Sequence, residues 1–74
     1  MKRSFVKSSA LRTQGYDKES QTLELEYING SIYQYFPVPL EVYEAFRNAD
    51  SKGHFINLYV KPYFDCREIR RRTA

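Results

Sequence analysis

The chain contains one cysteine and one histidine, Cys66 and His54, which are the residues best suited to nucleophilic chemistry. Cys66 borders a charged C-terminal segment, whereas His54 falls in the first turn of a predicted helix, so the two belong to different elements. A single cysteine cannot form a disulfide within one chain, and one cysteine with one histidine falls short of the usual zinc ligand set. We therefore predict no thiol catalysis and no metal site.

Two pairs of carboxylates, Glu24 with Glu26 and Glu41 with Glu44, have residue types that serve general acid–base catalysis. The first pair has the two-residue spacing of one face of a strand, and the second has the three-residue spacing of one face of a helix. Both spacings are typical of solvated faces. We therefore predict that the chain is not an enzyme and binds no cofactor.

Cations are concentrated at the two ends of the chain, and the middle is acidic, although the net charge is +3. Basic ends suit contacts to RNA phosphates, with tyrosines as stacking partners for bases. They also suit docking on an acidic protein surface. The candidates for RNA contacts are Lys2, Arg3, Lys7, Arg12, Arg70, Arg71 and Arg72.

Strict alternation of apolar and acidic residues predicts a half-buried strand near 22–28, with further strands near 10–16 and 31–36. Asn29-Gly30 then closes a hairpin in one of two registers. A type I′ turn pairs Tyr27 with Ile32, whereas a three-residue loop with a left-handed Gly30 pairs Tyr27 with Ser31. The second register keeps Gln34 out of the core and gathers the large rings on one face, so we predict it.

Helical spacing follows the prolines that end the third strand, and it predicts helices near 39–49 and 52–60. Ser51 is a good N-cap for the second helix, and Gly53 permits a close approach to the sheet. Pro62 ends that helix. The apolar side of the second helix comprises Phe55, Ile56, Tyr59 and Val60.

These elements predict an α+β fold, in which a three-stranded antiparallel β-meander is followed by two short α-helices packed on one sheet face (β-β-β-α-α). At 74 residues the chain holds a single domain, expected over 9–64. Residues 1–8 are expected to form a mobile basic arm, and residues 65–74 an arginine-rich tail. Because no apolar run approaches the ~20 residues of a membrane helix, we expect a cytoplasmic protein without membrane contact.

The open face of this sheet carries two apolar residues, Ile32 and Phe36, beside Glu24 and Glu26. A mixed surface of this kind suits a protein partner, with arginines of the tail steering the approach. The partner-binding candidates are Ile32, Phe36, Arg67, Arg70, Arg71 and Arg72.

The order of several short motifs closely resembles the KTSC domain, named for its place at the C-terminus of some lysyl-tRNA synthetases and also found as small bacterial and phage proteins. The matching motifs include Gly15-Tyr16-Asp17, Thr22-Leu23-x-Leu25-x-Tyr27, Tyr33-x-Tyr35, Ala49-x-Ser51-x-Gly53 and Phe55-x-Asn57. The resemblance implies no catalytic residues, and RNA binding has been suggested from the synthetase fusion. It implies mainly structural roles for the matching positions, which we assign to Gly30, Tyr33, Tyr35, Ser51, Gly53 and Phe55.

From the residues and this resemblance together, we expect a small non-enzymatic binding or regulatory module that docks on a larger protein machine of gene expression. A phage-type regulator that binds host RNA polymerase is one concrete form of this expectation. The alternative is an RNA-binding module associated with translation.

Overall fold

A computed structural model of the chain describes residues 3–71, which form a five-stranded antiparallel sheet covered on one face by helices. The strands lie in chain order across the sheet. The elements are β1 (Ser4–Phe5), β2 (Leu11–Asp17), β3 (Thr22–Tyr27), β4 (Ile32–Phe36), α1 (Leu40–Asn48), α2 (Lys52–Phe55), a π-helix (Ile56–Val60) and β5 (Asp65–Arg70).

The β3–β4 hairpin has the register of the predicted three-residue loop. The Tyr27 N–H donates to the Ser31 carbonyl at 2.8 Å, and Gly30 has a φ of 92°, the left-handed conformation that glycine adopts without a steric penalty. Leu25 therefore lies opposite Tyr33. This register places leucine and tyrosine side chains of both strands on the face that the helices cover.

The prediction of a three-stranded meander with flexible ends is wrong, because segments from both ends of the chain join the sheet. β1 pairs with β2, and β5 pairs with β4 along its whole length. Every residue of Asp65–Arg70 is exposed, so β5 has no buried face and none of the apolar alternation that marks a strand in a sequence. Backbone pairing to the edge of β4 stabilises it instead. The broader α+β class is correct.

The core lies between the inner sheet face and the helices. Burial of each large aliphatic side chain contributes about 1.5–3 kcal/mol relative to exposure. The buried cluster comprises Leu11, Leu23, Leu25, Tyr35, Val38, Phe46, Ile56 and Val60.

The second helical segment differs from the continuous α-helix predicted over 52–60. It begins as expected, with the Ser51 Oγ accepting from the His54 N–H at 3.3 Å. After Phe55 it widens into the π-helix, and the Lys61 N–H donates to the Ile56 carbonyl at 2.9 Å. Because Pro62 has no N–H, the regular helical ladder cannot continue beyond this point.

Candidate functional site

The residues considered for catalysis lie in separate parts of the fold. Cys66 lies in β5 opposite Tyr35, and the exposed His54 lies in α2. Partial burial raises the pKa of the Cys66 thiol, which leaves less of the nucleophilic thiolate at neutral pH. Among residues 3–71, no cluster of three or more histidine, cysteine, aspartate or glutamate side chains is arranged to hold a metal ion.

The helices of the described range, residues 3–71, include none with the length and apolar content needed to cross a membrane.

The face of the sheet that the helices leave open, here called the outer sheet face, brings together residues from both ends of the chain. Strand alternation and cross-strand register place Glu24, Glu26 and Gln34 on this face, opposite the core side chains. Other side chains that lie on it include Arg3, Arg12, Thr13, Ile32, Phe36, Asp65, Arg67 and Arg70.

Three arginines converge on the carboxylate of Glu26, which is only 8% exposed. The Arg70 Nη2 lies 3.2 Å from Glu26 Oε2, and the Arg12 Nη1 lies 3.7 Å from the same atom. The Arg3 Nη1 lies 3.6 Å from Oε1, and the Thr13 Oγ1 donates to Oε1 at 3.1 Å. We call Arg3, Arg12 and Arg70 with Glu26 the arginine cluster.

Glu24 extends this network toward the middle of the sheet. The Arg3 Nε lies 3.1 Å from Glu24 Oε2, and the Gln34 Nε2 donates to Glu24 Oε1 at 2.9 Å. From the sequence alone, Glu24 and Glu26 form an acidic surface that would repel phosphates. In the fold, arginines from both ends neutralise these carboxylates.

The two apolar candidates on the outer sheet face differ in exposure. Ile32 is only 6% exposed between its cross-strand neighbours Glu26 and Arg70, so a partner cannot reach much of it. Phe36 is half-buried, and the guanidinium carbon of Arg67 lies 5.2 Å from the centroid of its ring. Phe36 with Arg67 is therefore the accessible part of the predicted apolar surface.

The remaining cationic candidates lie away from the cluster. Lys7 is exposed between β1 and β2, and Arg71 is exposed directly after β5. Lys2 and Arg72 lie outside the described residues.

A groove of about 520 Å³ along the helical side is a surface that the sequence did not predict. Tyr59 and Tyr63 are 54% and 73% exposed there, although helical spacing had assigned Tyr59 to the apolar side of the second helix. The π-helix changes the direction of the side chains after Phe55, and helical periodicity carries no signal for that change. The lining residues are Glu41, Val42, Ala45, Phe55, Tyr59, Tyr63 and Phe64.

A second concavity, of about 460 Å³, lies on the inner side of the sheet beside the β3–β4 turn, and we call it the tyrosine cleft. The Tyr27 and Tyr35 hydroxyl oxygens are 2.8 Å apart, and the Tyr27 and Tyr33 rings meet edge to face at 5.7 Å. The Lys61 Nζ lies 5.7 Å from the centroid of the Tyr27 ring. The lining residues are Tyr27, Asn29, Ser31, Tyr33, Tyr35, Lys61 and Cys66.

The positions expected to be structural lie around the tyrosine cleft and in α2. Gly30 forms the hairpin loop, while Tyr33 and Tyr35 line the tyrosine cleft. A Cβ added at Gly53 would lie 2.8 Å from the Ala10 Cβ, so α2 approaches the start of β2 closely. Phe55 packs against the core at the end of α2.

Comparison with known proteins gives matches that cover most of the chain. An uncharacterized protein of Stutzerimonas stutzeri is 48% identical over 62 residues, which are 84% of this chain and 87% of that protein. A lysine–tRNA ligase of Nostoc sp. is 41% identical over 61 residues, which are 82% of this chain but only 11% of the ligase.

Solved structures give the same result. The crystal structure of a KTSC domain protein from Yersinia pestis superimposes with a TM-score of 0.86 at 37% identity, covering 93% of this chain and 97% of that one. The KTSC domain itself matches residues 7–64. The chain therefore belongs to the KTSC domain family, as its motifs predicted.

Proposed function

We propose that this chain is a non-enzymatic docking module that binds a protein component of the gene-expression machinery through its outer sheet face. The observation that carries the proposal is the arrangement of arginine and aromatic side chains there. Arg67 lies over Phe36, and the arginine cluster lies on the same face.

Arginine and aromatic residues are enriched at protein interfaces and dominate their binding energy. Freezing a long side chain on binding costs about 0.5–1.5 kcal/mol, and contacts that already hold the side chain reduce that cost. Glu26 holds three guanidinium groups in this way. Arg12 and Arg70 nevertheless keep 52% and 47% of their side-chain surface exposed, so both remain accessible to a partner.

The lysine–tRNA ligase of Nostoc sp. supports a connection with translation, because a segment similar to this chain forms a small part of that enzyme. The Stutzerimonas protein, 87% of which is similar to this chain, shows that a segment of this kind also occurs outside a ligase. A regulator that docks on RNA polymerase remains one specific form of the proposal.

The test compares capture of partners by the wild-type chain and by a variant carrying Phe36→Ser and Arg67→Glu. Both residues lie on the accessible part of the outer sheet face, so we expect the fold to be kept and the partner to be lost. Ile32 is left unchanged because its burial would confuse loss of binding with loss of stability.

A matched control carries Lys18→Glu and Tyr63→Ser, which change an exposed cation and an exposed aromatic away from this face. The control should retain the captured protein. Equal capture by the Phe36→Ser, Arg67→Glu variant would show that the outer sheet face is not the docking surface.

RNA binding is a second candidate, and one observation favours it. Arg3, Arg12 and Arg70 outnumber the two carboxylates that they contact, Glu24 and Glu26, so the network retains positive charge. Under this alternative, affinity falls steeply with salt concentration in proportion to the phosphates neutralised. Arg12→Gln should then reduce the slope of log K against log salt by about one unit.

A further inference from the structure

The tyrosine cleft has walls suited to a flat ring. A volume of about 460 Å³ falls within the ~300–1,000 Å³ that small-molecule sites occupy. Because the Tyr27 and Tyr33 rings are inclined at 79°, a ring stacked on one of them presents its edge to the other. Stacking of a nucleobase on an aromatic side chain contributes about 1–3 kcal/mol.

Hydrogen-bonding groups lie at the edge of this cleft. The Asn29 Oδ1 accepts from the Ser31 N–H at 2.9 Å, so the side-chain amide is held in the turn. Its amide nitrogen bonds no other residue within 3–71 and is free to donate to an acceptor on a base edge. The Tyr27 and Tyr35 hydroxyls bond each other at the cleft wall.

A lysine side chain lies at the same cleft. The Lys61 ammonium group contacts the face of the Tyr27 ring and forms no ion pair with any residue in the described range. The hydrogen bond to the Glu68 carboxylate raises the pKa of Tyr33, so its hydroxyl stays protonated at neutral pH. The Glu68 carboxylate accepts from the Tyr33 hydroxyl at 2.9 Å and keeps its negative charge on that side of the cleft. A phosphate on the Lys61 side of the cleft would meet a cation that no carboxylate of residues 3–71 pairs.

We propose that the tyrosine cleft binds a nucleotide, with the base stacked on Tyr33 and the phosphate paired with Lys61. The ligand is a nucleoside monophosphate unit, either free or within single-stranded nucleic acid. The proposal does not depend on protein docking, because the cleft lies on the helix-covered side of the sheet and the docking surface lies on the other.

The test is a titration of the isotopically labelled full chain, followed through the backbone amide signals in NMR spectra. The probes are AMP, adenosine, inorganic phosphate, a single-stranded oligoadenylate and N-acetyl-tyrosine amide. AMP should shift the amides of Ser31, Lys61 and Cys66, and adenosine should bind more weakly. Tighter binding of the oligonucleotide than of AMP would show that the natural ligand is single-stranded nucleic acid. Equal binding would show that it is the free nucleotide.

Lys61→Gln removes the phosphate contact without disturbing the fold, because Lys61 is exposed and its side chain bonds no buried group. We expect AMP affinity to fall about two- to fivefold, the factor that an exposed ion pair contributes, with adenosine affinity unchanged. Lys18→Gln removes the same charge in the β2–β3 turn and should leave both affinities unchanged. Tyr33→Leu should lower the affinities for adenosine and for AMP by the same factor.

Three results would overturn the proposal. In the first, neither AMP nor the oligonucleotide shifts the cleft amides. In the second, the shifts fall on the outer sheet face, which would indicate phosphate binding at the arginine cluster. In the third, N-acetyl-tyrosine amide shifts the cleft amides and AMP does not, which would assign the cleft to a protein side chain.

Discussion

At the scale of single residues, Glu26 organises the outer sheet face. Its carboxylate accepts from Thr13 and lies within ion-pair distance of Arg3, Arg12 and Arg70, although the side chain is 10% exposed. When a buried charge is removed from such a network, its partners lose a counter-charge. The resulting loss of folding free energy exceeds the net stability that the contact contributed. Arg3 also contacts Glu24, and Arg70 also donates to the Gly30 carbonyl, so the Glu26 carboxylate is the contact that all three guanidiniums share.

Glu26→Gln should destabilise the chain by about 1.5–3 kcal/mol, the range for hydrogen bonds to charged groups, because three arginines lose their shared counter-charge. Added salt should recover part of the loss by screening the repulsion between the guanidiniums. Urea unfolding at low and high salt measures both effects. Glu19→Gln, in the exposed β2–β3 turn, is the control, and an equal effect of the two substitutions would contradict this role for Glu26.

Tyr35 is the residue whose burial depends most directly on the hairpin register. It is 3% exposed, and its hydroxyl bonds Tyr27. Tyr35→Ala should cost about 3–5 kcal/mol as a large-to-small core substitution, whereas Tyr35→Phe should cost about 1 kcal/mol. Thermal unfolding distinguishes them, with Tyr63→Ala as the exposed control. A Tyr35→Ala chain that melts within a few degrees of the wild type would refute this register.

At the scale of elements, the contact between α2 and the start of β2 depends on the absence of a side chain at Gly53. Gly53→Ala gains up to ~1 kcal/mol of helix propensity but places a methyl group 2.8 Å from the Ala10 Cβ. Because the overlap exceeds that gain, we expect a net destabilisation of about 1–2 kcal/mol.

The double variant Ala10→Gly, Gly53→Ala should recover most of this loss, which a double-mutant cycle of unfolding free energies would measure. If Gly53→Ala stabilises the chain on its own, the close approach does not limit packing. If Ala10→Gly fails to rescue it, the strain arises elsewhere.

Elements with one buried and one solvated face could be predicted from the sequence, and elements without a buried face could not. Alternation located β3, and the cost of burying Gln34 selected the correct register with β4. β5 is exposed along its length, so its pairing depends on the free edge of β4 rather than on its own pattern. The arginine cluster was missed for the same reason, because Arg70 reaches Glu26 only through that pairing.

At the scale of the whole molecule, the buried tyrosines couple stability to alkaline pH. Burial raises the pKa of Tyr27 and Tyr35 above the ordinary value of 10.0, so the folded chain keeps protons that the unfolded chain releases near that pH. The stability that these two protonated tyrosines contribute is fully present below about pH 10. It is lost as the pH rises toward their pKa values in the folded chain. We therefore expect the free energy of unfolding to decline above about pH 10.

Urea midpoints between about pH 8 and pH 11, with tyrosinate absorbance in parallel, measure this decline. Tyrosine ionisation in the native chain should lag behind that in the unfolded chain. Tyr27→Phe should flatten the decline, whereas Tyr63→Phe, at an exposed position, should not. A midpoint that stays constant over this range would contradict the burial of the tyrosine hydroxyls.

The central claim is that a protein, and not RNA, occupies the outer sheet face. Capture from a bacterial lysate by the full chain, with and without nuclease treatment and over a salt series, tests this claim most directly. We predict that a discrete protein is captured equally after nuclease treatment, with only a shallow salt dependence, and that the Phe36→Ser, Arg67→Glu variant loses it. Capture that disappears with nuclease, falls steeply with salt and is lost in the Phe36→Ser, Arg67→Glu variant would contradict the claim and assign RNA to this face.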